Sequence, residues 1–147
     1  MDLTYFCHHL HPRKATTEKF EQALGPPLEP STEFDIHHED PKIREESKRA
    51  ANIASSVQLV LEESVLKLVQ TAKDISGEQN IVLAGGVALN AVCNMKICDS
   101  GIFRDIWVQP AAGDAGSSIG CALWAWYEVL DNQRSENEQV LFKPYLG

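Results

Sequence analysis

The run Asn80-Ile81-Val82-Leu83-Ala84-Gly85-Gly86 decides the fold class of this chain. Its apolar residues lie between a turn and a pair of glycines, a pattern typical of a short strand that is buried on both faces of a sheet. The run Ile106-Trp107-Val108-Gln109 has the same character and is ended by Pro110. The sequence therefore predicts two buried strands, each of which stops at a residue that breaks regular structure.

Helical periodicity surrounds both strands. Apolar residues recur every three or four positions from Ser47 to about Ser76, which predicts a long amphipathic helix ended by Gly77. Two shorter helices are predicted over residues 87–99 and 115–130. Because helices and strands alternate, the pattern favours the α/β class with parallel strands. Two strands alone make a marginal sheet, so we expect further strands from the amino-terminal region, from a partner chain or from sequence outside this chain.

The first 46 residues differ in composition from residues 47–147, and we predict a boundary between them. The Gly25-Pro26-Pro27 cluster, together with Pro30 and Pro41, indicates an irregular lead-in with a polar loop over residues 25–42. The regular elements expected there are a short strand over residues 4–7 and a short helix over residues 16–24.

Length and composition limit the classes of protein to consider. The chain has 147 residues, 13 basic against 21 acidic side chains and a net charge of −8, which disfavours nucleic acid and anionic membranes as partners. It contains neither an apolar run of about 20 residues nor a recognisable signal peptide. The four cysteines form no Cys-x-x-Cys pair, so reduced, mostly buried thiols in a cytoplasmic protein are expected.

Histidines and tryptophans receive structural interpretations. The five histidines lack the spacing of a zinc site and are expected to be solvated loop residues: His8, His9, His11, His37 and His38. The three tryptophans lie in or beside apolar patterns and are expected to pack in the interior, with an interface as the alternative for the second of them: Trp107, Trp124 and Trp126.

The two strand-to-helix junctions, residues 84–90 and 109–116, are the candidate functional segments. In a parallel sheet both lie at the carboxyl edge, where open α/β folds bind ligands. The start of a helix offers unpaired N–H groups and about half a positive charge, and glycine lets a phosphate approach the backbone. We therefore expect the two junctions to lie side by side and to face one ligand.

Each polar or glycine residue at these junctions has two interpretations. Gly85-Gly86 is either a ligand-binding loop or only a tight turn between strand and helix. Asp114 is the N-cap of the next helix or a carboxylate that faces a metal ion or a nucleotide-bound cation, and the two roles can coexist. The amide of Asn90 either binds a ribose or phosphate or faces solvent.

These motifs resemble a known family. Leu83-Ala84-Gly85-Gly86-Val87-Ala88-Leu89-Asn90 and Trp107-Val108-Gln109-Pro110-Ala111-Ala112-Gly113-Asp114-Ala115-Gly116 are similar to segments of the O-carbamoyltransferases of the nodulation-factor and antibiotic-tailoring type. The helix over residues 49–58 is similar to the one that precedes these segments in the family. Tyr5-Phe6 and Pro144-Tyr145-Leu146-Gly147 fit the edges of the region.

The resemblance implies a fold and a reaction. The fold would be that of an actin-like, sugar-kinase-like ATPase domain of the ribonuclease-H-like type, with parallel strands and long flanking helices, of which residues 47–147 would form the second half. Members of the family make carbamoyl-adenylate from carbamoyl phosphate and ATP, and they transfer the carbamoyl group to an acceptor hydroxyl. A fragment of this kind is expected to be inactive alone, since group transfer needs all groups positioned together.

The resemblance also implies site residues. The nucleotide would contact Gly85, Gly86, Val87, Asn90 and Gly113. Asp114 would help to hold a divalent metal, iron or magnesium, against the phosphates. Ser117-Ser118 depart from the small glycine or alanine residues that the family often has there. Metal-ligating histidines, a phosphate-binding strand turn and a carbamoyl-phosphate domain find no match in the chain, and the histidines of residues 8–11 are not assigned to that role.

Three functional hypotheses follow. The first is a cytoplasmic, ATP- and metal-dependent carbamoyltransferase whose partners are ATP, carbamoyl phosphate and a small-molecule hydroxyl acceptor. The second is a kinase or a threonylcarbamoyl-adenosine-type relative of the same superfamily. The third is a non-catalytic binding or dimerisation module whose exposed sheet edges pair with a partner or with a second copy of the chain.

Overall fold

A computed structural model describes residues 2–7, 10 and 14–134, and these form two compact units that divide between Leu59 and Val60. Three of the histidines and the carboxy-terminal segment that resembles the edge of the family region lie outside the described residues: His8, His9, His11 and residues 144–147.

The first unit has little regular structure before its long helix. In place of the strand predicted over residues 4–7, the described part of the chain has one antiparallel bridge, between Phe6 and Thr16. Helix α1, Glu18–Leu24, confirms the predicted short helix. The Thr17 hydroxyl that precedes it donates to the carbonyl oxygen of Thr4 at 2.7 Å instead of capping the helix.

Helix α2, Pro41–Ser76, begins six residues earlier than the periodicity predicts. Its start depends on local capping, since the carboxylate of Asp40 accepts the backbone N–H of Lys42 at 2.8 Å and proline suits the first helical position. Its predicted end is confirmed, because Gly77 adopts a φ of 68° and donates to the carbonyl oxygen of Lys73. Residues 25–40 form the predicted irregular loop.

The second unit contains the predicted parallel strands. Strand β1 is Asn80–Leu83 and strand β2 is Asp105–Val108, paired in register from Asn80 opposite Asp105 to Leu83 opposite Val108. Helix α3, Ala91–Ser100, connects them. The core is built from the end of α2, from α3 and from one face of the sheet, and its residues are Val65, Leu66, Val69, Ile81, Leu83, Ile97, Ile102, Phe103 and Ile106.

The prediction that both faces of the strands are buried is wrong for the described residues. Along each strand, exposed and half-buried residues alternate. Val82 and Trp107 lie opposite each other on the outer face and are 66% and 49% exposed. The helices described here cover only the face that carries Ile81 and Ile106, so the apolar outer face has no layer over it among these residues.

The third predicted helix is divided. A 3-10 turn over Asp114–Gly116 leads into α4, Ser117–Trp124, and Ala125–Val129 continues as a π-helical turn. The apolar side of α4 packs against no described core, so the predicted interior packing of the tryptophans is wrong: Trp124 and Trp126 are 63% and 53% exposed. Among the described residues, we find no helix with the length and apolar character to span a bilayer.

Candidate functional site

The two strand-to-helix corners are in direct contact. The backbone N–H of Gly85, after β1, donates to the carbonyl oxygen of Ala112, after β2, at 2.7 Å. One step earlier, the N–H of Gln109 donates to the carbonyl oxygen of Leu83 at 3.0 Å and extends the strand pairing into the corners. The structure therefore brings together the junctions that the sequence predicts to be neighbours.

Both corners line one cleft of about 290 Å³. Its wall is made of Ala84, Gly85, Gly86, Gln109, Ala111, Ala112, Gly113, Asp114, Gly116 and Ser117. A Cβ atom built on Gly85 or Gly86 meets none of the described residues within 4 Å, so the backbone of both glycines is open to a ligand. Gly113 is more crowded, since a Cβ atom there would lie 3.3 Å from Cδ1 of Leu89.

The Gly85-Gly86 corner is more specialised than a simple tight turn. Gly85 has φ 94° and ψ 165°, a conformation that is essentially restricted to glycine. The chain then forms a 3-10 turn over Gly86–Leu89, and α3 begins only at Ala91 instead of at the predicted residue 87. The first turn of α3 is therefore separated from the cleft by this 3-10 segment.

Asp114 is not the N-cap of its helix. Gly113 occupies the position before the 3-10 turn, and no side chain caps it. The Asp114 carboxylate is exposed, lines the cleft and accepts no hydrogen bond from the described residues. The predicted N-cap role of Asp114 is therefore wrong, and its contact with a cation stays a prediction.

Val87 and Asn90 lie away from the cleft. Val87 lines a separate apolar groove of about 450 Å³ between α2, β1 and α3. Asn90 stands one residue before α3, and its Oδ1 accepts the backbone N–H of Cys93 at 2.9 Å, so it is an N-cap. Burial raises the pKa of the Cys93 thiol, and the nearby Glu62 carboxylate raises it further, which keeps the thiol protonated.

All four cysteines are free, as expected. Cys7 and Cys93 are buried, whereas Cys98 and Cys121 are exposed, so the expectation of mostly buried thiols holds for two of them.

Gln109 is a cleft residue that the sequence analysis did not single out. Its side-chain Oε1 accepts the backbone N–H of Ala111 and so braces the loop that carries Gly113. A polar side chain at the end of an otherwise apolar strand is the signal in the sequence that points to it.

The described histidines form no metal site. His38 accepts the backbone N–H of Asp40 at its Nδ1, and its Nε2 lies 3.7 Å from a Glu33 carboxylate oxygen. Within residues 2–7, 10 and 14–134, no group of three histidine, cysteine or acidic side chains is arranged to hold a metal ion.

Comparisons with known proteins give a consistent result. Residues 28–123 match the family described as Carbamoyltransferase N-terminus. The uncharacterized protein sll1178 of Synechocystis is 49% identical over 102 residues, which are 69% of this chain and 17% of that protein. Nodulation protein NolO of Bradyrhizobium diazoefficiens is 43% identical over 97 residues, and NolNO of Sinorhizobium fredii is 40% identical over 97.

Each of these two matches covers 65% of this chain, and they cover 18% of NolO and 14% of NolNO, so the chain spans less than a fifth of the length of these relatives. No solved structure matches the chain. Because the family match covers more than half of the chain and includes both corners of the cleft, the chain belongs to the carbamoyltransferase family.

Proposed function

We propose that this chain forms one wall of the ATP- and metal-binding site of an O-carbamoyltransferase. That enzyme makes carbamoyl-adenylate from carbamoyl phosphate and ATP, and it transfers the carbamoyl group to the hydroxyl of a small-molecule acceptor. The observation that carries the proposal is the hydrogen bond from Gly85 N–H to Ala112 O, which joins both corners around one cleft. Membership of the carbamoyltransferase family supports the reaction class.

The nucleotide would lie against the glycines of the cleft. Gly85 and Gly86 leave their backbone open, and a phosphate approaches a backbone most closely where no side chain intervenes. Gly113 faces the same space from the second corner. Val87 and Asn90, which the family resemblance also assigns to the nucleotide, would act by supporting the first corner.

Asp114 would supply one ligand to a divalent cation, magnesium or iron. Its exposed carboxylate fits this role, because hard cations prefer carboxylate oxygen and the group has no competing hydrogen bond among the described residues. A cation at this position neutralises charge on the phosphates. Since Asp114 is the one carboxylate that the described residues bring to the cleft, we expect the metal and the nucleotide to bind together rather than separately.

A titration of the ¹⁵N-labelled chain with ATP and Mg²⁺, followed by NMR, tests this proposal. We expect the largest amide shifts at Gly85, Gly86 and Gly113. Asp114→Asn should weaken the Mg²⁺-dependent binding of ATP about tenfold or more, the loss typical of one interaction with a charged group. The chain alone should show no turnover of carbamoyl phosphate, since group transfer requires all reacting groups in place.

Asp99→Asn is the matched control. Asp99 is also exposed and lies in the same unit on α3, outside the cleft. This variant should bind ATP as the unaltered chain does. Amide shifts confined to residues outside the cleft would reject the nucleotide site, and unchanged ATP binding by Asp114→Asn would reject the metal role.

Homodimerisation is a second candidate, favoured by the outer face of the sheet. Val82 and Trp107 are exposed there, and β1 and β2 each have an unpaired outer edge among the described residues. Sedimentation equilibrium distinguishes the two: a tight dimer that ignores nucleotide supports the module, whereas a monomer that binds ATP supports the enzyme wall.

A further inference from the structure

The side-chain amide of Gln109 is fixed in one orientation. The backbone N–H of Gln109 is already hydrogen-bonded, since it donates to the carbonyl oxygen of Leu83 at 3.0 Å. The side chain then reaches forward by two residues to the backbone N–H of Ala111. A backbone N–H can only donate, so the amide oxygen must face it, and the NH₂ group must point the other way.

The NH₂ group of Gln109 lies beside the start of the last helix. A Cβ atom built on Gly116 would stand 3.4 Å from Nε2, and Gly116 and Gln109 both line the cleft. Among the described residues, Nε2 makes no hydrogen bond. The side-chain amide of Gln109 is half-buried, and its oxygen is bonded to the loop. Its NH₂ group therefore keeps two donors at the wall of the cleft.

We propose that Gln109 contacts the nucleotide, with Nε2 donating to an oxygen of the phosphate chain while Oε1 holds the loop of residues 110–113. This inference rests on the proposed function and extends it to a residue that the family resemblance does not assign. The two roles depend on each other, because the bond to Ala111 is what directs the NH₂ group away from the loop.

A phosphate oxygen is the acceptor that fits this donor best. Asp114, which lines the same cleft, carries a negative charge that repels an anion unless a cation lies between them. A neutral amide attracts the phosphate without competing for that cation, because NH₂ has no lone pair to offer the metal.

Gln109→Glu and Gln109→Met separate the two roles. Glutamate keeps an oxygen for the Ala111 N–H but replaces the donor by a charged oxygen that repels phosphate. Methionine has a similar length and forms neither hydrogen bond. Gln79→Glu is the matched control, since exposed Gln79 precedes β1 at the other end of the sheet. Each variant is titrated with ATP and Mg²⁺, and amide hydrogen exchange at Ala111 is measured without ligand.

We expect Gln109→Glu to retain slow exchange at the Ala111 amide. Its affinity for ATP should fall by about tenfold or more. Gln109→Met should lose both the slow exchange and the affinity, and Gln79→Glu should lose neither. Unchanged ATP binding by Gln109→Glu would overturn the contact with phosphate. Equally slow exchange at Ala111 in Gln109→Met would overturn the bracing of the loop.

If the proposed function is wrong, these experiments give a different result from the one expected if only the role of Gln109 is wrong. An unaltered chain that binds no ATP would reject the nucleotide site and, with it, the phosphate contact of Gln109. The exchange rate at Ala111 needs no ligand, so the comparison with Gln109→Met would still decide whether Gln109 holds the loop.

Discussion

The two corners of the cleft are built by different physical means. The corner after β1 depends on backbone freedom, since Gly85 has a φ of 94° and no side chain caps the turn that follows. The corner after β2 depends on close packing, since Gln109 braces Ala111 and the loop folds back until the carbonyl of Ala111 lies against Gly116. Gly85 is therefore needed for its backbone conformation, and Gly116 is needed because it has no side chain.

This difference shows why a glycine count says little about a loop. Gly86 and Gly120 have ordinary φ angles and open space around the position of a Cβ atom, so the structure does not require glycine there. Gly85 and Gly116 are required for unrelated reasons. Substitutions that add one methyl group should therefore have very different effects within a few residues of each other.

Gly116→Ala should have the largest effect on stability. The new Cβ atom would collide with the carbonyl oxygen of Ala111, and backbone on both sides must move to relieve it. We expect the free energy of unfolding in urea to fall by about 3 kcal/mol, the upper part of the range for overpacking.

Gly120→Ala is the control for Gly116→Ala. Gly120 lies within α4, and nothing lies within 4 Å of its Cβ position. Alanine should raise the free energy of unfolding by about 0.5–1 kcal/mol, because it is the better helix former. Equal destabilisation by both substitutions would show that the fold-back of the second corner does not exist in solution.

Gly85→Ala should have an intermediate effect. There is room for the methyl group, but the φ and ψ angles of Gly85 are costly for alanine, so we expect a loss of about 2 kcal/mol in the free energy of unfolding. Gly86→Ala, at the next residue, should be neutral or slightly stabilising. If the two variants unfold at the same urea concentration, the first corner does not have the conformation described here.

The arrangement of strands was accessible from the sequence, whereas their surroundings were not. Apolar runs that end at glycine or proline identify β1 and β2, and the intervening helix makes them parallel. Burial of Val82 and Trp107 could not be read from the same runs, because it depends on which layers cover the sheet. The early start of α2 was missed since the capping by Asp40 carries no helical periodicity.

The candidate site was also predictable from the sequence only in part. The neighbouring positions of Gly85 and Gly113 follow from strand order alone, since parallel strands end at one edge of a sheet. The roles of Asn90 and Asp114 depend on where each helix begins. A shift of a few residues in the start of a helix decides whether a polar side chain caps it or stays open to a ligand. For Asp114 the sequence left both an N-cap and a cation-facing carboxylate open, and the structure places an N-cap at Asn90 and none at Asp114.

Asn90 therefore offers the smallest but most discriminating test of the first corner. Asn90→Ala should lower the free energy of unfolding by about 1 kcal/mol, because the N–H of Cys93 loses its cap. Asn90→Ser should lose only a few tenths of that, since serine is an equally good cap, and it should bind ATP with unchanged affinity because residue 90 does not line the cleft. Weaker ATP binding by the stable serine variant would contradict a purely structural role and would indicate that Asn90 contacts the nucleotide directly.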